Sequence, residues 1–293
     1  MTKQKVAVIT RTKDRPTFLE RAIASVNAQT YRDYIHVIVN DGGNKEAVER
    51  IVTQSKNKDK IQLFHRDSAS GAPDTILNES IDRIDSEYFS IHDDDDTWHS
   101  EFLSQTVTKL DEKPALGAVV VRANKIVEEV SGQTIKQLKS SQWMDDLRVV
   151  NLYRQCIDNQ FTPIATLFRR SAYQDVGKFD STLPVVGDWE FGVRLLQKYD
   201  VDFIDPGYAL ANYHHRAHVA GAEGNTSFSG NDLHRYYTNL IMNRYLRQEI
   251  AEGRLGVGYI MNQLKYNQSN TATILRRFLP SGVVSRLKKK VSN

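Results

Sequence analysis

The chain has 293 residues, 40% hydrophobic and 26% charged, with 16 Gly and 7 Pro, a balance that excludes fibrous, collagenous and disordered classes and suits one large α/β domain with an appendage. A single cysteine, Cys156, excludes an internal disulfide and a multi-cysteine zinc site, and reads as a buried, inert thiol in a reducing compartment. The net charge of +3 is unevenly spread: eight basic residues and no acidic one follow Glu252, leaving 31 basic against 36 acidic side chains over residues 1–252, a net −5. No stretch approaches the ~20 apolar residues of a membrane-spanning helix, and the opening "MTKQKVAVIT" lacks a small-residue cleavage site, so a cytoplasmic location is expected.

In chain order, "KVAVIT" (5–10) is a β-branched run, followed by the polar "RTKDRP" and by Phe18, Leu19, Ala22, Ile23 and Val26 at helical spacing, with Pro16 in the first turn. "YIHVIVN" (34–40) predicts a second strand ending in an Asp41-Gly42-Gly43 turn, and "KEAVERIVTQ" a polar helix. "KIQLFH" (60–65) reads as a third strand, "APDTILNESIDRI" (72–84) as a helix and "EYFSIH" (87–92) as a fourth strand. Strands alternating with helices imply parallel crossovers and an open sheet covered on both faces, with ligands bound beyond the carboxyl ends of the strands. The polar segments "TRTKDRP", "NDGGN" and "DDDDTW" share that rim.

Beyond it, "GAVVVRANKIVEEV" (117–130) suggests two short strands and "MDDLRVVNLYRQCI" (144–157) a helix. A further helix begins near Gly187 or Asp188, and "VDFID" and "GYALANYHHR" close the domain as strands. The expected boundary lies in the Gly- and Ser-rich "AGAEGNTSFSGN" (220–231), giving a domain over 1–220, with halves of about 1–115 and 116–220, and a helical basic extension over 221–293.

The four adjacent carboxylates of "IHDDDDTWHS" (91–100) follow directly from a predicted inner strand. A solvated loop is one reading. On the other, extended geometry turns Asp93 and Asp95 one way and Asp94 and Asp96 the other, and crowded carboxylates raise one another's pKa or recruit a cation. Such hard oxygens suit Mg²⁺ or Mn²⁺, whose usual partner is a diphosphate, here that of a nucleotide leaving group. The glycine and distant Glu of an EF-hand loop are absent from this run.

Four segments in order resemble glycosyltransferase family 2 with a GT-A fold: "VAVITRTKDRPTFLERAIASVNAQTY", "HVIVNDGG", "SEYFSIHDDDDTW" and "TLFRRSAYQDVGKFDSTLPVVGDWEFGVRLL". The resemblance implies a mostly parallel central sheet flanked by helices, with a Rossmann-like nucleotide half and an acceptor half. It implies an inverting hexosyl- or deoxyhexosyltransferase that uses a UDP, GDP or dTDP sugar, Mn²⁺ or Mg²⁺, and a glycan or lipid-linked acceptor in cell-surface polysaccharide synthesis. It places Thr12 and Asp41 at the nucleotide and Asp93, Asp94 and Asp96 at the donor. Asp95 becomes the metal ligand, joined by a late His, His215 or its neighbour His214. Asp188 falls on the catalytic base, with Trp189 and Glu190 toward the acceptor. Taken alone, Asp188 could equally be a helix N-cap and Trp189 a core residue. Lys13 stands where many members have a base-stacking Tyr, Asn40 replaces the first Asp of the second-strand turn, and Gly187 replaces the Glu that often precedes the base.

After the domain, Ile274, Leu275, Phe278, Leu279, Val283, Val284, Leu287 and Val291 are interleaved with basic residues. Such a helix suits an anionic membrane surface or a packed partner or second subunit; the acidic body argues against nucleic acid. A catalytically inactive homologue acting as a membrane-associated assembly partner is the alternative to an enzyme. A nucleotidyltransferase would need a Gly-rich phosphate loop, and "TRTKDRP" has no glycine.

Overall fold

The computed structural model describes residues 4–132, 134–216 and 231–278, with side chains of the last segment from Asp232 to Asn267. The chain divides into two compact units, Met1–Gln155 with Asn159–Tyr237, and Cys156–Asp158 with Thr238–Asn293.

In the first unit, β1 (Gln4–Thr12), β2 (Tyr34–Asp41), β3 (Ile61–Arg66) and β4 (Ser86–Ile91) alternate with α1 (Pro16–Asn27), α2 (Lys45–Gln54) and α3 (Pro73–Arg83). There follow β5 (Thr97–Trp98), α4 (Phe102–Glu112), β6 (Leu116–Val121), β7 (Ala123–Ser131), β8 (Thr134–Gln142) and α5 (Leu152–Gln155). β9 (Thr166–Arg169), α6 (Arg170–Val176), α7 (Gly187–Leu196), β10 (Asp200–Ile204) and β11 (Ala211–His215) complete it. Seven strands form one sheet in the order β10-β6-β9-β4-β1-β2-β3, parallel except for β9, which runs antiparallel to β4 and β6. β5, β11, β7 and β8 form a second sheet.

Alternation along β1 explains its unbroken apolar run. Ala7 and Ile9 pack with Val37, Val39, Phe89 and Ile91 on one face, while Val6 and Val8 pack with Tyr88, Val119 and Val121 on the other. α1 starts at Pro16 and buries Phe18, Leu19, Ala22, Ile23 and Val26. α2 is capped by Asn44, whose side-chain oxygen accepts from the Ala47 N–H at 2.8 Å. With β1 to β4 parallel, their carboxyl ends open on one rim, and the chain leaves it from β4 through residues 92–96 to β5 in the second sheet.

Two expectations need correction. Residues 144–157 are not one helix; only Leu152–Gln155 is helical, because the buried Arg122 guanidinium takes the Met144 and Leu147 carbonyls, each at 2.8 Å, before a helix can use them. β8 was invisible in the pattern: it is a polar edge strand on β7, exposed along most of its length, and has no apolar alternation to betray it.

In the second unit, α8 (Asn231–Ala251) from Thr238 onward is followed by α9 (Val257–Phe278). Glu249 accepts from the Gly256, Gly258 and Tyr259 N–H groups at 3.1, 2.7 and 3.0 Å, closing the start of α9. A Cβ on Gly258 would lie 2.4 Å from the Leu246 nitrogen, so only glycine permits this crossing. Burial, with Glu249 nearby, pushes the Cys156 thiol up to about 11, the mark of an inert cysteine. The expected boundary at 220–231 and the tail positions Leu279 to Val291 fall almost wholly outside the described residues, as do the side chains of Ile274, Leu275 and Phe278. No described helix is long and apolar enough to cross a membrane.

Arg122 also donates to Asp205 at 2.7 and 3.0 Å. Arg122→Met keeps the volume but orphans two carbonyls and a carboxylate, and should lower the unfolding free energy by about 3 kcal/mol in urea denaturation.

Candidate active site

The rim encloses a cavity of about 770 Å³, reached by the end of β1, the β2 turn, residues 69–74 and 93–96, and the start of α7. Its volume suits a nucleotide sugar. Asp41 accepts from the Ser70 N–H at 2.9 Å and the Ser70 hydroxyl at 3.3 Å, tying the β2 turn to the loop before α3. Gly42 is needed twice over, for its φ of +76° and because a Cβ would meet the Ala69 nitrogen at 2.6 Å. Asn40 closes the turn on itself, donating to the Gly43 carbonyl at 2.8 Å and accepting from its N–H at 3.0 Å. A carboxylate could not donate, which accounts for Asn in place of the expected Asp.

The acidic run is a turn, not an extended strand: the Asp96 N–H donates to the Asp93 carbonyl at 3.2 Å, so strand alternation does not decide which carboxylates face the cavity. All four line it. Arginines from distant segments compensate them. Arg11 donates to Asp93 Oδ1 at 2.6 and 3.0 Å, and Arg15 forms an ion pair with Asp94 Oδ1 at 2.9 Å and donates to Asp95 Oδ2 at 2.8 Å. Arg216, fully buried after β11, also donates to Asp95 Oδ2, and Arg21 to the Asp95 carbonyl. The Thr12 hydroxyl donates to Asp94 Oδ2 at 2.8 Å, and the His214 N–H to Asp96 Oδ1 at 2.8 Å. Asp94 is therefore buried at 1% exposure, not solvated.

Their charges diverge accordingly. Burial pushes Asp94 up to about 7 against the pull of Arg15, and burial with the Asp95 charge raises Asp96 far above the usual range. Burial would raise Asp95 too, but Arg15 and Arg216 outweigh it and hold it below the usual range. Behind this layer, the buried Glu128 of β7 accepts from Arg21 at 2.9 and 3.0 Å, from Arg216 at 3.4 Å, and pairs with His214 Nδ1 at 2.8 Å. The Phe18 ring carries the Arg15, Arg21 and Arg216 guanidiniums 4.9, 5.4 and 4.5 Å from its centre.

Asp188 sits in the first turn of α7, one residue past Gly187, and lines the same cavity. It is not the N-cap; that position is Val186, in the left-handed region with φ 59° and no side-chain cap. Asn159 donates to Asp188 Oδ2 at 2.8 Å, while its own oxygen accepts from Gln155 at 3.0 Å and the Phe161 N–H at 3.1 Å, which fixes the amide. Burial raises the Asp188 pKa above the ordinary carboxylate value in spite of these donors. Asp74 of α3 also lines the cavity, and a Cβ on Gly187 would lie 1.9 Å from its Oδ2. The space of a Glu side chain at 187 is thus taken. Burial, followed by Arg11 pulling down and Asp188 and Asp93 pushing up, brings Asp74 to about 7.

The cavity therefore unites Thr12, Asp41, Asp93 to Asp96 and Asp188. Among the described residues that line it, Trp189, Glu190, His214 and His215 are absent. Trp189 is buried with its indole N–H on the Gln155 carbonyl at 2.6 Å, and Glu190 is held by Arg194 at 2.8 to 3.0 Å. His214 spans Glu128 and the Thr97 hydroxyl, the latter at 2.9 Å; His215 is buried and, through burial with Lys125 and Arg216 near, lowered to about 4. Sequence reading missed Arg11, Arg15, Arg216, Glu128, Asn159 and Asp74. Only the first two left a signal, as basic residues in the loop facing the acidic run.

A model of glycosyl transferase family 2 matches residues 7–177. The chain belongs to this family. It is 22% identical over 213 residues, 71% of its length, to an uncharacterized glycosyltransferase of Rickettsia felis, and 29% identical over 126 residues, 43% of its length, to the GalNAc(5)-diNAcBac-PP-undecaprenol beta-1,3-glucosyltransferase of Campylobacter jejuni. It spans 34% and 39% of those two relatives. Its fold is that of the GT-A type glycosyltransferases. S. aureus TarS in complex with UDP-GlcNAc superimposes with a TM-score of 0.61 at 18% identity, over 81% of this chain and 65% of that one. The Pyrobaculum calidifontis mannosyltransferase PcManGT, in complex with GDP-Man and Mn²⁺, gives 0.61 at 13% identity, over 100% and 81%.

Glu128 is carried from 4.5 to about 2 because its donors outweigh burial, and at 2% side-chain exposure that shift corresponds to about 3 kcal/mol. A depressed carboxylate stabilises above its unfolded pKa and loses that contribution as pH falls through the folded one. Glu128→Gln should be about 2 to 3 kcal/mol less stable at pH 7, with the gap to wild type closing between about pH 4.5 and pH 2 in acid-denaturation curves.

Proposed function

We propose that the chain is a metal-dependent inverting glycosyltransferase that moves a sugar from a nucleotide-sugar donor to a hydroxyl of a glycan or lipid-linked acceptor in cell-surface polysaccharide synthesis. The observation that carries this reading is that Asp188, its pKa raised by burial and its carboxylate oriented by Asn159, lines one cavity with the acidic turn and with Thr12 and Asp41.

Asp93 Oδ2 and Asp95 Oδ1 accept no hydrogen bond from any described residue, so each offers a hard oxygen at the cavity wall. No three His, Cys, Asp or Glu side chains among the described residues form a ready-made cage. That donor set fits Mn²⁺ or Mg²⁺ taking two carboxylates here and the rest of its shell from diphosphate and water. When bound, the cation supplies Lewis-acid neutralisation of charge on the leaving diphosphate. Arg15 and Arg216 hold Asp95 ionised and fixed for this role, and Thr12 anchors the turn through Asp94. Thr12 and Asp41 contact the nucleotide. Asp188 accepts the proton of the acceptor hydroxyl as it attacks, on the side away from the diphosphate. Asn159 aims its carboxylate, and desolvation makes it a stronger base than a solvated Asp. The basic tail offers a route to an anionic membrane surface on the cytoplasmic side, where a lipid-linked acceptor would be presented.

Asp188→Asn should lower kcat by at least about a hundredfold while leaving affinity for the nucleoside diphosphate unchanged. In wild type only ionised Asp188 accepts a proton, so kcat/KM should rise with pH through a value above the ordinary carboxylate range. Turnover near wild type in Asp188→Asn would remove Asp188 as the base.

The pairing of Asp95 with two guanidiniums supports a second reading, in which arginine alone neutralises the diphosphate. Activity should be lost in EDTA and restored by Mn²⁺ or Mg²⁺; activity indifferent to chelation favours the arginine reading. Calorimetry with UDP, GDP and dTDP identifies the donor class, and binding of none of them would favour a non-catalytic assembly role.

A further inference from the structure

We propose that Asp74 is a further substrate-contacting residue, a carboxyl delivered from the start of α3 to hydrogen-bond a hydroxyl of the transferred sugar; this rests on the reading of the cavity as a nucleotide-sugar site. Asp74 lines that cavity at 9% exposure, yet no described residue gives its carboxyl a hydrogen bond or an ion pair. Every other carboxylate on the wall discussed above has a donor: Ser70 for Asp41, Arg11 for Asp93, Thr12 and Arg15 for Asp94, Arg15 and Arg216 for Asp95, the His214 N–H for Asp96 and Asn159 for Asp188. Its carboxyl oxygens are not shut away from water: they open on the cavity, where a hydroxyl of a ligand could reach them.

Favourable interaction with the helix dipole accounts for an acid in the first turn of α3 but not for where this one goes. Its Oδ2 occupies the space that a Cβ on Gly187 would need, at 1.9 Å, next to Asp188. The position before the proposed base thus receives a carboxyl from a helix more than a hundred residues earlier in the chain. Asp188, Asp93 and Asp180 bear on it with like charge against the attraction of Arg11, so a second anion is disfavoured at this point. Neutral hydroxyl donors are suited to it. Lying in the same cavity as the acidic turn and the base, it is placed for the sugar between diphosphate and acceptor rather than for the nucleotide.

The test compares full-length wild type with Asp74→Ala and Asp74→Asn. Calorimetry measures the nucleoside diphosphate selected from UDP, GDP and dTDP, with Mn²⁺, and then its hexose ester. The expected result is a Kd for the free diphosphate within about twofold of wild type and a Kd for the nucleotide sugar raised about tenfold in Asp74→Ala. With its oxygens open to the cavity and like charges from Asp188, Asp93 and Asp180 around it, Asp74→Asn should leave the thermal midpoint at or above that of wild type. Nucleotide-sugar affinity unchanged in Asp74→Ala overturns the proposal, and so does an equal loss for the free diphosphate, which would place Asp74 at the cation or phosphates. A lowered midpoint in both variants with unchanged sugar affinity marks a structural carboxyl and likewise overturns it. Wild type that binds no nucleotide sugar overturns the reading of the cavity and this proposal with it.

Discussion

The site depends on one electrostatic requirement, that four consecutive carboxylates, Asp94 and Asp96 buried and Asp93 and Asp95 partly so, be matched by positive charge held at fixed positions. The matching groups come from both ends of the first unit: Arg11 and Arg15 from the end of β1, Arg21 from α1, and Arg216 from just beyond β11. Charge alone would not hold them. The Phe18 ring packs beneath three of these guanidiniums, and Glu128 ties two of them and His214 into one group. The turn is consequently held from several sides, and burial and arginine shift Asp94 and Asp96 up and Asp95 down although the three are identical in chemistry.

This compensation also bears on the choice between a cation and arginine as the agent that neutralises a leaving diphosphate. Asp93 and Asp95 each spend one oxygen on a guanidinium and keep the other open. Arginine thus acts on the carboxylates themselves, holding Asp95 ionised through Arg15 and Arg216 and fixing Asp93 through Arg11, and leaves a short row of oxygens at the wall. A bare run of aspartates in the same place would take up protons, as Asp94 and Asp96 tend to do, and would then be poor ligands for a hard ion.

The fold was legible wherever strands were buried on both faces. β1, β2 and β4 read as apolar runs, because each has helices or a second layer on either side. β8 left no trace, being polar and on an edge, and residues 144–151 misled because their carbonyls go to Arg122 rather than to a helix. The candidate site divides in the same way. Aspartates cluster in sequence and could be found; their partners lie 74 to 121 residues away and could not be paired with them. Asp74 was hidden for a different reason. An acid after a proline at the start of a helix has a sufficient local explanation, and its proximity to Gly187 exists only in three dimensions.

The acidic turn is also where the chain passes from the large sheet, through β4, to the small one, through β5 paired with β11. Its charges are balanced only when β1 and the segment after β11 are both docked, and these lie at opposite ends of the first unit. A chain in which β11 and Arg216 had not docked would leave Asp95 with one guanidinium and Glu128 without Arg216 and His214, so collapse of this region would be opposed by uncompensated charge. The charge balance of the cavity wall therefore depends on the docking of the small sheet, although that sheet's own side chains stand mostly behind the wall.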